Sequence, residues 1–90
     1  MIEKTVKVNN KNGLHMRPAG DISEEAHKYN SSITIIGEDV EANATSILEV
    51  SMLGATEGTS LTIRAHGDDE IIALKAIEDL IVKKYDDEII

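Results

Sequence analysis

The stretch GLHMRPAG (residues 13–20) marks the point where the chain changes from one type of secondary structure to another. Before it, residues 2–8 largely alternate between apolar and polar positions, which is typical of a half-buried β-strand. After it, apolar residues recur at spacings of three and four, which predicts a helix over residues 16–28. Gly13 ends a polar loop, and Pro18 fits the first turn of the helix, where its missing N–H has no partner to lose.

Short strands and a short helix are predicted to follow. Residues 32–36 and 40–44 form two strands joined by a turn, because both are rich in β-branched or alternating residues. Residues 46–53 form a short helix that Gly54 closes. Alternation over residues 60–65 predicts a fourth strand.

The last predicted helix starts at Asp68 or Asp69. Its apolar positions have helical spacing, and they are Ile71, Leu74, Ile77 and Leu80 or Ile81. Acidic residues at its start and the pair Lys83 and Lys84 near its end both suit the helix dipole. A second acidic cluster, residues 86–88, is expected to be a solvated tail.

The order of these elements predicts the fold class. Four strands are too few to close a barrel, so helices must cover one face of the sheet. Alternation within the strands leaves the other face in water, which favours antiparallel pairing. We therefore expect an α+β open-faced β-sandwich, a four-stranded, mainly antiparallel sheet with three helices on one face. With 90 residues, the chain is expected to be a single domain over residues 1–90.

Composition excludes several classes of function. The chain has no cysteine, which rules out disulfides and thiolate ligands, and its acidic residues lack metal-ligand spacing. A net charge of −8 with scattered lysines and arginines argues against binding nucleic acid. No run of about 18 apolar residues exists, and the N-terminus lacks a secretory h-region. We expect a cytoplasmic protein without membrane insertion, metal or bound cofactor.

The strand-to-helix junction brings two chemically useful side chains together. His15 lies at the predicted helix start, where backbone N–H groups and the helix dipole favour an anion. Arg17 follows two residues later, and a guanidinium can bind two phosphate oxygens at once. An imidazole near its ordinary pKa of about 6.5 is mostly neutral at cellular pH and can attack phosphorus. The pattern makes His15 a candidate phosphoryl acceptor.

A histidine at this position has an ordinary alternative. It can be a surface residue beside a helix, and the residues alone leave that interpretation of His15 open. His27 and His66 keep it, because His27 lies in the middle of a predicted helix and His66 ends a predicted strand beside Gly67.

Residues 13–19 resemble the active-site signature of the HPr family, the phosphocarriers of the bacterial phosphoenolpyruvate-dependent sugar phosphotransferase system. The resemblance covers essentially the whole chain, and it implies the same open-faced sandwich. It further implies that enzyme I phosphorylates His15 on Nδ1, and that the group then passes to sugar-specific IIA domains. Arg17 is implied to support the phosphoryl group and the partner contacts. The expected function is a phosphoryl carrier rather than an independent enzyme, since no second catalytic base accompanies His15.

Ser46 has two compatible interpretations. Ser46 and Glu49 fit a capping box, in which Ser46 caps the short helix and Glu49 reaches back to the cap N–H. The resemblance implies instead a regulatory serine that HPr kinase/phosphorylase phosphorylates. A phosphate at this position gains from the helix dipole, whereas the charge of Glu49 opposes it.

The short helix is more apolar than one buried face requires. Val50 and Leu53 have a spacing that suits the core, although all of its apolar residues could be core. The resemblance implies that exposed residues of this helix meet enzyme I and the IIA domains. The predicted docking surface consists of Met16, Ile47, Leu48 and Met52.

The chain departs from the family pattern in ways that bear on its partners. Met16 stands where a small residue is usual, and Glu24, Thr45 and Glu49 occupy positions where the family often has lysine or glycine. Complementary charge governs the choice of partner, so a nitrogen-related or regulatory branch stays open. The alternative function is a regulatory binding module that Ser46 phosphorylation controls and that docks to a transcription factor or enzyme.

Overall fold

A computed structural model describes residues 1–83 of the chain. Its seven elements follow the predicted order, and they are β1 (Ile2–Lys7), α1 (Met16–Ala26), β2 (Ser32–Ile36), β3 (Glu41–Asn43), α2 (Ile47–Ser51), β4 (Ser60–His66) and α3 (Glu70–Val82). Lys84 and the acidic cluster of residues 86–88 lie outside the described residues.

The four strands form one sheet in the order β1-β4-β2-β3. Each neighbouring pair is antiparallel, with Thr5 opposite Thr62 and Ile35 opposite Ile63. α3 packs on β1 and β4, α2 packs on β3, and α1 packs against both helices. The predicted α+β open-faced sandwich with three helices on one face is therefore confirmed.

The core is aliphatic and lies between the sheet and the helices. Strand residues that face the helices are buried, whereas their neighbours on the other face, such as Thr5 and Thr62, are partly or fully exposed and share a hydrogen bond of 3.0 Å. Lys4 interrupts the apolar side of β1, as its sequence position shows. Its ammonium group extends to the edge of the sheet and pairs with the Glu78 carboxylate of α3 at 2.9 Å. An edge strand can carry a lysine on this side because the head group still reaches water.

Two helices are shorter than predicted. α1 ends at Ala26, and His27 is its C-cap. α2 covers Ile47–Ser51, because the chain beyond it tightens into i→i+3 hydrogen bonds from Leu53 to Val50 at 3.2 Å and from Gly54 to Ser51 at 3.3 Å. Helix ends often tighten in this way, and hydrophobic spacing does not reveal it.

The predicted apolar face of α3 is wrong at one residue. Ile71 is 72% exposed, whereas Leu74, Ile77 and Ile81 are buried as expected. Ala73 takes the remaining place against the sheet with no exposed surface. Alanine is only weakly hydrophobic, so the sequence pattern placed the larger Ile71 on the buried face of α3 in its stead.

Candidate functional site

The loop between β1 and α1 is held by hydrogen bonds on both of its sides. Within the loop, the Gly13 N–H donates to the Asn10 carbonyl at 2.9 Å, and the Asn10 side-chain amide donates to the Gly13 carbonyl at 2.9 Å. Outside it, the Leu14 N–H donates to the carbonyl of Ala55 at 3.0 Å. Gly13 has a φ of 71°, and a Cβ atom there would lie 2.2 Å from the Ala55 oxygen. Glycine is thus required where the two segments meet.

His15 follows this loop as the N-cap of α1. Its backbone is extended, with φ −76° and ψ −169°, and its carbonyl accepts the first helical hydrogen bond from the Ala19 N–H at 3.0 Å. The imidazole makes no capping hydrogen bond to the helix. The residue is partly buried, and its Nε2 atom is covered by protein. The ring therefore stands beside the helix start with one nitrogen shielded.

The first turn of α1 has the charge of an anion site. It contains no acidic residue, and Arg17 is exposed in it, two residues after His15. Pro18 is buried there and contributes no N–H. The N–H groups of Met16 and Arg17 have no carbonyl to bond within the helix, so they add to the positive end of the dipole.

Ser46 is the N-cap of α2, as the capping-box pattern predicts. Its hydroxyl oxygen accepts a hydrogen bond from the Glu49 N–H at 3.1 Å. The second half of the predicted box is wrong, because the Glu49 carboxylate accepts from the N–H of Asn43 at 2.8 Å. The Ser46 N–H instead donates to the carbonyl of Asn43 at 2.9 Å. The corner between β3 and α2 is closed by these three bonds.

The residues predicted to form the docking surface are all exposed. They are Met16 at 69%, Ile47 at 44%, Leu48 at 70% and Met52 at 65%. The core side of α2 is taken by Val50, which is fully buried, with Leu53 packed partly against it. α1 and α2 are neighbours, and the Ser23 hydroxyl of α1 donates to the Thr45 carbonyl before α2 at 2.7 Å. The alternative that all of these apolar residues belong to the core is therefore wrong.

Comparison with known proteins identifies the architecture around this site. The family model described as "PTS HPr component phosphorylation site" matches residues 2–83. The chain belongs to the HPr family of phosphocarrier proteins. The phosphocarrier protein HPr of Treponema pallidum is 39% identical over 88 residues, which covers 98% of this chain and 100% of that protein.

Solved HPr-family structures have the same fold. The histidine-containing phosphocarrier protein of Mycoplasma superposes with a TM-score of 0.84 at 36% identity, over 90% of this chain and 92% of its own. Crh, the catabolite repression HPr of Bacillus subtilis, superposes with a TM-score of 0.69 at 30% identity, over 93% and 100%. The family thus includes proteins named for phosphoryl transfer and one named for catabolite repression.

The other histidines of this HPr-family chain lie in different surroundings. The Nδ1 atom of His27 lies 2.7 Å from the carbonyl oxygen of Ser23, one turn earlier in the helix. His66 is the last residue of β4 and is exposed. Within residues 1–83, no group of three His, Asp or Glu residues could hold a metal, and no helix could cross a membrane.

Sequence analysis missed the burial of one residue close to His15 in the chain. Asn10 was assigned to a polar loop, yet it is 1% exposed and bonds to the residue two positions before His15. A signal was present, since Asn followed by Gly three positions later is a common turn pattern. Residues 9, 11 and 12 are also polar, and they are exposed, so the composition of the loop did not distinguish Asn10 from its neighbours.

Proposed function

We propose that this chain is a cytoplasmic phosphoryl carrier that receives a phosphoryl group from enzyme I on His15 and transfers it to sugar-specific IIA domains. When His15 receives the group, a ring-nitrogen lone pair forms a P–N bond while the bond from phosphorus to the donor breaks. The reverse process passes the group to the next acceptor. The protein is an intermediate in the transfer and turns over no substrate of its own.

The placement of His15 at the start of α1 carries this proposal. Nε2 is covered by protein, so we assign Nδ1 as the ring nitrogen that accepts the phosphoryl group. The imidazole is not used as a helix cap, so phosphorylation removes no capping bond. A phosphoryl group on Nδ1 would be close to the first turn of the helix, where backbone N–H groups favour negative charge.

Arg17 and the absence of acidic residues in the first turn of α1 support a bound dianion. A guanidinium stabilises phosphate oxygens through charge-assisted hydrogen bonds. Arg17 is exposed, so a phosphoryl group that it binds stays in contact with water and with partner proteins. The group is therefore stabilised without being enclosed, which suits a group that must leave again.

The exposed apolar residues of α1 and α2 provide the contact area for partners. Met16, Leu48 and Met52 are each more than half exposed, although they are large apolar side chains. Methionine adapts to surfaces of different shape, which suits a carrier that must bind both a donor and an acceptor. We assign enzyme I and the IIA domains to this docking surface.

Labelling with phosphoenolpyruvate and purified enzyme I tests the proposal. The unaltered chain should take up one phosphoryl group, and His15→Ala should take up none. His27→Ala and His66→Ala are the matched controls and should be labelled at the normal rate. Labelling of His15→Ala, or loss of labelling in either control, would overturn the assignment.

We propose a second, regulatory function for Ser46. Its hydroxyl lies next to the exposed Ile47 and Leu48, so a phosphate there would add charge to the edge of the docking surface. HPr kinase/phosphorylase would supply that phosphate, and a transcription factor or enzyme would recognise it. Glu49 weakens this modification because its carboxylate lies at the same corner.

Incubation with ATP and HPr kinase/phosphorylase, followed by mass spectrometry, tests the regulatory function. One added phosphate on Ser46, absent in Ser46→Ala, is the expected result. An unmodified chain under conditions that phosphorylate a known substrate of the kinase would refute it.

A further inference from the structure

We propose that Asn10 is the positioning residue that orients His15 for phosphoryl transfer, an inference that rests on the carrier function proposed above. Asn10 is 1% exposed, and it is one of three buried polar residues among residues 1–83, with Ser23 and Ser31. Burying an amide is unfavourable unless it is hydrogen-bonded, so a buried asparagine in a surface loop needs a reason.

The contacts of Asn10 lead directly to the active histidine. Its side-chain amide donates to the Gly13 carbonyl at 2.9 Å. Its main-chain carbonyl accepts from the Gly13 N–H, also at 2.9 Å. The same turn is thus closed by a main-chain bond and by a side-chain bond. Leu14 alone separates this turn from His15, and Leu14 is 4% exposed and bonded to Ala55. The backbone is thus fixed by hydrogen bonds up to Leu14, the residue that directly precedes His15.

The chemistry of the side chain explains why asparagine is needed. The Gly13 carbonyl requires a donor, and alanine offers none. Aspartate has the same size, but an ionised carboxylate only accepts hydrogen bonds, so it would repel the Gly13 carbonyl oxygen. Without the side-chain bond, the loop would keep one closing bond, and the approach of the ring to phosphorus would be less well defined. Small errors of position slow a transfer reaction strongly.

A positioning role differs from a purely stabilising role in its kinetic signature. Asn10 is 1% exposed, so it offers almost no surface to a partner, unlike the exposed residues Met16, Ile47, Leu48 and Met52. Replacing it should lower the turnover of enzyme I at saturating carrier and leave the KM for the carrier unchanged. A variant that loses only global stability would keep the same turnover and the same KM as long as the protein stays folded.

The experiment compares Asn10→Ala and Asn10→Asp with two controls. Asn9→Ala removes a neighbouring exposed asparagine, and Ser31→Ala removes a buried polar contact to Asp69 far from the site in sequence. At a temperature where all variants are folded, both Asn10 variants should lower turnover about tenfold or more. Both controls should keep the turnover and KM of the unaltered chain.

Amide hydrogen exchange provides a readout that does not depend on phosphorylation. The Leu14 N–H, which bonds to Ala55, should exchange about tenfold faster in Asn10→Ala than in Ser31→Ala, because its protection depends on the local turn. If enzyme I labels neither the unaltered chain nor any variant, the carrier function is refuted. In that case, unchanged hydrogen exchange at Leu14 would separately refute the role of Asn10. Equal loss of turnover in Asn10→Ala and Ser31→Ala, or a change in KM alone, would also overturn the proposal.

Discussion

The start of α1 and the starts of α2 and α3 meet the same physical requirement in opposite ways. Every helix begins with backbone N–H groups that have no partner within the helix and with the positive end of a dipole. α2 and α3 each carry a glutamate in the first turn, Glu49 and Glu70 respectively. The first turn of α1 carries none. The N-cap side chains of α1 and α3 both make no capping bond, so the lack of an acid is what distinguishes α1.

The two acidic helix starts are also tied into the surrounding chain. At α2, Ser46 caps the Glu49 N–H, and the Glu49 carboxylate holds Asn43. At α3, Glu70 accepts from Gly67 at 3.1 Å and pairs with the N-terminal amine at 3.1 Å. The pKa of Glu70 is lowered, mainly by the hydrogen bond from the Gly67 N–H. These starts are therefore neutralised by the chain itself.

This difference teaches where the chain is built for stability and where it is built for exchange. A helix start filled by its own carboxylate gains stability and has little further affinity for an anion. A helix start without one gives up that stability and remains attractive to an anion that comes and goes. α1 is of the second type, and His15 is its N-cap.

Removal of Arg17 should have the largest effect on this contrast. Arg17→Ala leaves the backbone of α1 in place but removes the charge that complements the phosphoryl group. A hydrogen bond to a charged group contributes about 1.5–3 kcal/mol, so the rate of phosphorylation of His15 should fall by about 10- to 100-fold. Rapid-quench measurement with phosphorylated enzyme I checks this. Arg64→Ala is the control, because Arg64 pairs with Glu3 at 2.6 Å on the sheet, and a similar loss in that variant would contradict the role of Arg17.

An added carboxylate should make the start of α1 resemble the other two. Met16→Glu places an acid in its first turn, and Met16→Gln is the uncharged control of the same size. The glutamate variant should be phosphorylated several-fold more slowly than the glutamine variant at low salt, because a resident carboxylate repels the phosphoryl group. The gap should narrow as the salt concentration rises, since exposed charges are screened. Equal rates in the two variants at low salt would show that the acid-free turn has no role.

Removal of the Ser46 cap should affect stability rather than chemistry. Ser46→Ala deletes the acceptor of the Glu49 N–H, and loss of such a cap costs about 1 kcal/mol. For a domain of this size that corresponds to a fall of about 4–8 °C in Tm. Ser46→Thr keeps a hydroxyl and should recover most of the loss. If both variants melted alike, the capping bond would contribute nothing to stability.

Sequence could predict the elements that repeat a pattern and the residues that carry unusual chemistry. Alternation predicted the sheet and helical spacing predicted the helices, and the structure confirms both. The grouping of His15, Arg17 and Pro18 predicts the site on which the proposed function rests. The face of α3 was harder, because Ala73 is buried and Ile71 is exposed, and side-chain size alone suggests the reverse.

Contacts between distant segments could not be predicted from local patterns. Glu49 was expected to bond to Ser46, and the structure pairs it with Asn43 because the corner of β3 brings that N–H closer. Asn10 looked like its exposed neighbours, and its burial depends on how the loop packs against residues 55–59. Both errors concern where a polar side chain finds its partner, which the fold decides.

The acidic start of α3 predicts a small pH dependence of stability. The Asp69 carboxylate accepts from the Ser31 hydroxyl and from the N–H groups of Asn30 and Ser31, at 2.9 Å for each N–H. The hydrogen bond from the Ser31 side chain, followed by the bond from the Asn30 N–H, lowers the pKa of Asp69. A lowered pKa in the folded state means that these bonds stabilise the protein above the unfolded value of about 3.9, and that this stability is lost as the pH falls through the folded value.

Asp69→Asn should therefore lower Tm by a few degrees at pH 7 and by progressively less below about pH 4, where the carboxylate of the unaltered chain becomes protonated. Thermal melts of both chains between pH 2 and pH 7 would measure the difference. Asp68→Asn is the matched control, one residue away in the same acidic cluster, and it should show a weaker dependence. If the difference in Tm between Asp69→Asn and the unaltered chain stayed constant across this range, the charge of the carboxylate would not be the source of its stabilising effect. The contrast between helix starts would then apply to α1 and α2 alone.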